Sequence, residues 1–176
     1  MKFITKTLLG LGLMAGLTST SALAADYTPE PVVSASSFYL RGDLGWSWLS
    51  TKENDGSTFV LGGGLGYKFN DHLRTDARID YAGIGNSNHD FGSVLGNVYF
   101  DIPTGSVFTP YVGAGLGYGW SDDHGDNESG VTYGLMAGVE VTLTENISAD
   151  VGYRFRQIIN SDTYTNEALV GLRYGF

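Results

Sequence analysis

The sequence predicts an all-β chain folded as an eight-stranded antiparallel transmembrane up-and-down β-barrel. Three observations carry that expectation. From Phe38 onward the hydropathy period is two: Phe38, Leu40, Leu44, Trp46 and Trp48 alternate with Tyr39, Arg41, Asp43, Gly45 and Ser47, which is strand rather than helix periodicity. One set of alternate positions carries no charge in any predicted strand. The connections alternate between long and short, as they do when strands run up and down through a membrane.

Taken in order, residues 1–24 read as a secretory signal peptide. Lys2 and Lys6 form a positive n-region, and Leu8 to Leu17 is an apolar stretch too short to span a membrane as a helix. Ala22-Leu23-Ala24 is a small-x-small site that predicts cleavage before Ala25. Residues 25–36, with Pro29 and Pro31, have no period and read as an extended periplasmic leader. The barrel occupies 37–176, with strands expected near 37–49, 58–70, 73–84, 91–102, 107–120, 131–143, 147–158 and 166–176. The segments 50–57, 85–90, 121–130 and 159–165 are long and polar. Asn70 to His72, Pro103 to Ser106 and Thr144 to Asn146 are short turns, placed at the periplasmic end with both termini.

The two faces are chemically distinct. In the third strand Leu73, Thr75, Ala77, Ile79 and Tyr81 oppose Arg74, Asp76, Arg78, Asp80 and Ala82. Over the whole barrel the polar face collects Arg41, Lys68, Arg74, Arg78, Arg154, Arg156 and Arg173. It also collects Asp43, Asp76, Asp80, Asp101, Glu140, Asp150 and Glu167, seven of each sign.

Alternation alone does not say which face points inward, but three features place the polar one in the lumen. Glycines crowd it (Gly62, Gly64 and Gly66; Gly113, Gly115, Gly117 and Gly119), as a narrow bore holding long Arg and Tyr side chains requires. The apolar face carries aromatics at both ends, Trp46, Trp48, Phe59, Tyr81, Tyr118 and Trp120 among them at one and Phe38, Tyr67, Phe69, Phe100, Tyr174 and Phe176 at the other. Such rings favour the headgroup level and read as two girdles. That many aromatics would also overfill an eight-stranded interior.

Composition excludes several functions. With 10 Lys+Arg against 19 Asp+Glu the net charge is -9, the wrong sign for a nucleic-acid binder. Without cysteine there are no disulfides, thiolate zinc sites or cysteine nucleophiles. The glycine runs are not phosphate loops, since no helix follows them and the glycines recur every two residues. His89 and His124 fall in long outer loops and are the candidates for haem iron or a metal above the rim, whereas His72 sits at the opposite end. Asp122, Asp123, Asp126 and Glu128 are candidate oxygen ligands for Ca²⁺ or Mg²⁺, although their spacing is not that of an EF-hand. No catalytic residue is identified and no cofactor is expected.

The chain closes Val170-Gly171-Leu172-Arg173-Tyr174-Gly175-Phe176. A terminal aromatic on an alternating last strand resembles the assembly signal of Gram-negative outer-membrane barrels, which implies the barrel-assembly machinery as a partner through Phe176. Phe108-Thr109-Pro110-Tyr111-Val112-Gly113-Ala114-Gly115-Leu116-Gly117-Tyr118 and Tyr153-Arg154-Phe155 resemble the opacity-protein-like family of porin-family surface antigens. The resemblance implies residence in the cell outer membrane among lipids and lipopolysaccharide. It implies the family's roles as surface antigens, adhesins or envelope-integrity proteins, a few of which bind haem, and it carries over no binding residue. With the chain ending at the barrel, a peptidoglycan-binding domain is not expected.

The expected function is therefore that of a surface-exposed structural barrel, not an enzyme. It would support envelope integrity and present acidic extracellular loops for interaction or adhesion, possible partners being a host or surface ligand. The alternative is a ligand-binding or small-solute transport barrel for haem, cations or small polar solutes.

Overall fold

Every strand of the chain finds two neighbours. In a computed structural model, β1 (Phe38–Ser50), β2 (Asp55–Lys68), β3 (Leu73–Ile84), β4 (His89–Asp101), β5 (Phe108–Asp123), β6 (Asp126–Thr142), β7 (Ile147–Ile158) and β8 (Tyr164–Gly175) pair in sequence order into a closed antiparallel barrel. The structure describes residues 37–50, 55–84, 89–123, 126–160 and 164–176, and no side chain at 49–50, 55–56, 84, 89–90, 122–123 or 126–128. The expected signal peptide (1–24), the leader (25–36) and His124 lie outside the described residues. Closure is made by β1 against β8, from Tyr39 opposite Gly175 to Ser50 opposite Tyr164. Closure leaves no edge strand with a row of unpaired N–H and C=O groups, the condition for crossing a bilayer.

The periplasmic turns are tied by their own side chains. Asn70 Oδ1 accepts from the amides of His72 at 2.8 Å and Leu73 at 2.9 Å, an Asx turn. Thr144 Oγ1 accepts from Ile147 N at 3.0 Å. Gly105 takes a φ of 69°, a left-handed turn position that suits glycine.

Two features depart from expectation. The segment 121–130, read as a polar loop, is mostly strand. β5 and β6 stay paired to Asp123 opposite Asp126, and β4 begins at His89, opposite Asp123, so His89 is a strand residue and not a loop one. Above the lipid belt nothing demands apolar outward side chains, so the hydropathy period vanishes while the backbone ladder continues. The second departure is a bulge: Phe59 pairs with Ile84 but Val60 with Ala82, leaving Gly83 as the extra residue, at a φ of 147°.

The outside of the barrel is apolar. Leu40, Leu44, Leu65, Ile79, Val98, Leu116, Leu135, Val151, Val170 and Leu172 are all exposed. Such a surface is intolerable in water and proper to lipid.

Candidate functional site

The lumen is filled by ion pairs. Thirteen of the fourteen charges assigned to it from sequence are buried, none more than 8% exposed, and Lys68 is half-buried at the periplasmic end. Strand alternation aims them inward, and the closed ring brings them together.

Eleven of them form one connected series along the bore. Near the extracellular end Glu167 accepts from Arg156 and, at 2.6 Å, from Arg154 Nε. Arg154 Nη1 donates to Asp80 Oδ2 at 2.8 Å, and Asp80 also holds Arg78 at 2.8 Å. Arg78 reaches Asp43 at 3.1 Å, and Asp43 is shared with Arg41 at 2.6 Å. Arg41 continues to Asp76 at 3.1 Å and Asp150 at 3.5 Å, and Asp150 to Arg173 and then Glu140. Asp76 also accepts from Asn97 at 2.7 Å and from Tyr39 and Tyr99, each at 3.3 Å. The pairing of Arg78 with Asp43, not Asp76, follows from strand stagger, which sequence spacing does not contain.

Arg74 stands beside this series. Its Nε bonds Asp101 at 2.8 and 2.9 Å, and its guanidinium lies between the Tyr99 and Tyr111 rings, 4.3 and 4.8 Å from their centroids. The ring faces stabilise a cation whose two terminal nitrogens have no hydrogen-bond partner among the described residues.

The glycines make room for these groups. A Cβ at Gly138 or Gly152 would lie 2.6 Å from the Tyr111 hydroxyl, and one at Gly66 would enter the Tyr39 ring. A Cβ at Gly171 would meet the carboxylates of Asp43 and Asp150.

Sequence reasoning missed the upper plug. Val60, Ala82, Phe91, Ile158 and Leu169 form a buried apolar cluster at the extracellular end of the lumen, with the Arg156 guanidinium 4.6 Å over the Phe91 ring. All five sit on the face assigned as polar. The signal was their parity, Leu169 standing between Glu167 and Gly171. At the outer end this cluster packs beside the Arg156–Glu167 pair and the buried Ser47, Thr58, Thr132 and Thr165, and the ion pairs continue below it.

The extracellular candidates gather in backbone register. His89 is opposite Asp123, itself opposite Asp126; Asp90 is opposite Asp122, opposite Asn127. His124 lies outside the described residues, as do the side chains of His89, Asp122, Asp123, Asp126 and Glu128. His72 is at the periplasmic turn, 5.9 Å from the Phe100 ring.

A closed barrel with lipid-compatible walls and a packed, charged interior is a transmembrane barrel of outer-membrane type. The chain belongs to the outer membrane protein beta-barrel domain family, whose model matches residues 11–176, and its place is the outer membrane. An uncharacterized protein of Brucella suis biovar 1 (strain 1330) is 28% identical, the match covering 84% of this chain and 80% of that one. Among solved structures, Neisserial surface protein A superposes with a TM-score of 0.71 at 24% identity, over 80% of this chain and 98% of its own. Ail of Yersinia pestis, in complex with the heparin analogue sucrose octasulfate, gives 0.53 at 17%, over 79% and 99%. The outer membrane enzyme PagL gives 0.54 at 12%, over 78% and 99%. At these identities the likeness is one of fold, and the fold houses both an outer membrane enzyme and an attachment invasion locus protein.

Proposed function

We propose that the protein is a structural, surface-exposed barrel that supports the envelope and offers its acidic extracellular end for interaction, without catalytic activity. The observation that carries this reading is the connected ion-pair series that fills the bore together with an apolar cluster, which argues for an anchor rather than a pore. At the described outward-facing strand positions there is no carboxylate, histidine or basic side chain from which an acid–base pair could be assembled. The sequence segments 50–57, 85–90, 121–130 and 159–165 carry Glu53, Asp55, Asp90, Asp122, Asp123, Asp126, Glu128 and Asp162 against Lys52. Such a surface repels a polysulfated ligand of the kind bound by Ail. It suits a cationic partner, or divalent ions bridging to anionic lipopolysaccharide. Assembly through Phe176 belongs to the same reading.

The test is complementation. Cells lacking the protein should become more sensitive to bile salts and large antibiotics. The full chain should restore resistance, and so should a chain with Asp122, Asp123, Asp126 and Glu128 changed to Asn and Gln, which should lose only surface interaction. Unchanged sensitivity on deletion would overturn the structural reading.

A further inference from the structure

Lys68, Arg74 and Asp101 stand outside the connected ion-pair series, and all three lie at the periplasmic end of the bore. Lys68 on β2 is directly opposite Arg74 on β3. Two like charges facing each other across a strand pair are unfavourable unless an anion answers them. Asp101 answers one side of Arg74 only: both of its oxygens bond Nε, at 2.9 and 2.8 Å. Arg74 Nη1 and Nη2 are buried with no hydrogen-bond partner among the described residues. Lys68 is half-buried and has no ion-pair partner among the described residues.

The other lumen arginines are treated differently. Arg41, Arg78, Arg154, Arg156 and Arg173 each bond a carboxylate of the chain through a terminal nitrogen. Among the described residues, only Arg74 has a terminal fork that bonds none. That fork is also held in place. The guanidinium carbon is 4.3 Å from the Tyr99 ring centroid and 4.8 Å from that of Tyr111. Both rings are fixed by their hydroxyls, Tyr99 donating to Asp76 at 3.3 Å and Tyr111 to Asp150 at 2.9 Å. Buried donors without acceptors are costly, so a fixed fork beside a lysine is stabilised by an anion that supplies them.

Two terminal guanidinium nitrogens match the two oxygens of one carboxylate, and an ammonium adds a third donor. Charge selects the class of anion. Lys68 and Arg74 carry two positive charges and Asp101 one negative, so the three are neutralised by a single negative charge. A second charge on the ligand would be repelled by Asp101. The way in is the periplasmic mouth, where Lys68 has no ion pair to break when its side chain moves aside. We propose that Arg74 and Lys68, with the Arg74 fork fixed by Tyr99 and Tyr111, form a site for the carboxylate of a small organic acid at the periplasmic mouth of the lumen. The site goes beyond the surface role proposed above and does not depend on it.

The experiment is nuclear magnetic resonance of the isotope-labelled, refolded full chain in micelles near neutral pH. Sodium acetate is the probe, with sodium chloride lowered in step to hold the ionic strength constant. Saturable shifts should appear at the Arg74 Nε–H and at the amides around Lys68 and Tyr99. Lys68→Gln removes the ammonium, and Arg74→Lys keeps the charge but loses the fork. Each should weaken acetate binding about tenfold, the worth of one charge-assisted hydrogen bond. Lys52→Gln, in the segment 50–57, should leave binding unchanged, and sodium phosphate at the same ionic strength should bind more weakly than acetate. Heat-modifiable migration on gels verifies that each variant is folded, and Lys68→Gln, at a half-buried position, decides the matter where Arg74→Lys does not fold. No saturable shift at Arg74, equal affinity in wild type and Lys68→Gln, equal loss in Lys52→Gln, or tighter binding of phosphate than of acetate would overturn the site. Acetate binding by purified protein is read independently of envelope complementation, so failure of one does not imply failure of the other.

Discussion

Arg154 on β7 reaches across the bore to Asp80 on β3, 74 positions earlier, at 2.8 Å. The two strands lie on opposite sides of the closed ring. A bond from wall to wall leaves no open axis at that level, and Asp80 makes it while also holding Arg78. Breaking one partner of a buried pair strands the other, which costs about 3–5 kcal/mol, whereas the intact pair contributes little net stability over apolar packing.

Asp80→Ala should therefore lower unfolding stability by about 3–5 kcal/mol, since Arg154 and Arg78 both lose a carboxylate. Glu145→Ala, in an exposed periplasmic turn, should change it by no more than about 0.5 kcal/mol. Urea titration in lipid vesicles, followed by gel shift, measures both. Equal midpoints would show that the lumen charges are solvated rather than locked.

Gly152 and Tyr111 should behave as one unit. A Cβ at Gly152 meets the Tyr111 hydroxyl at 2.6 Å, the same hydroxyl that donates to Asp150 at 2.9 Å. Gly152→Ala should cost about 1–3 kcal/mol by overpacking. Tyr111→Phe removes the colliding oxygen, so adding Gly152→Ala to that background should cost clearly less. A double-mutant cycle measures the coupling, and strict additivity would contradict the close contact.

Deleting Phe176 should reduce assembly. Its amide bonds Phe38 O at 3.2 Å across the β1–β8 closure, and its ring is exposed in the periplasmic girdle. The expected result is far less heat-modifiable barrel in the outer-membrane fraction and more protein in the periplasm. Unchanged outer-membrane levels would remove Phe176 from the assembly signal.

Processing is read directly by mass. Intact-mass measurement of the membrane-extracted protein should give a chain beginning at Ala25. Retained Met1 would contradict the expected cleavage.

What could be read in the sequence was whatever alternation encodes. Arg74, Asp76, Arg78 and Asp80 announce the lumen of β3 against Leu73, Thr75, Ala77 and Ile79, because lipid imposes a rule on every second residue. What could not be read lay where that rule lapses. At Ser121 to Glu128 the chain leaves the lipid, so strands look like loop; the hint was that only His124 and Gly125 separate two residues able to pair. Phe91 and Leu169 are apolar at lumen positions because a packed lumen end needs apolar atoms as much as a membrane does.

The central claim is that ion pairs and an apolar plug close the bore. Planar-bilayer recording of the purified, refolded wild-type chain tests it most directly. A bore filled by side chains predicts only small or infrequent openings and no steady porin-sized conductance. Large, long-lived unitary currents from the wild-type chain would contradict the plugged lumen and establish a transport barrel in its place.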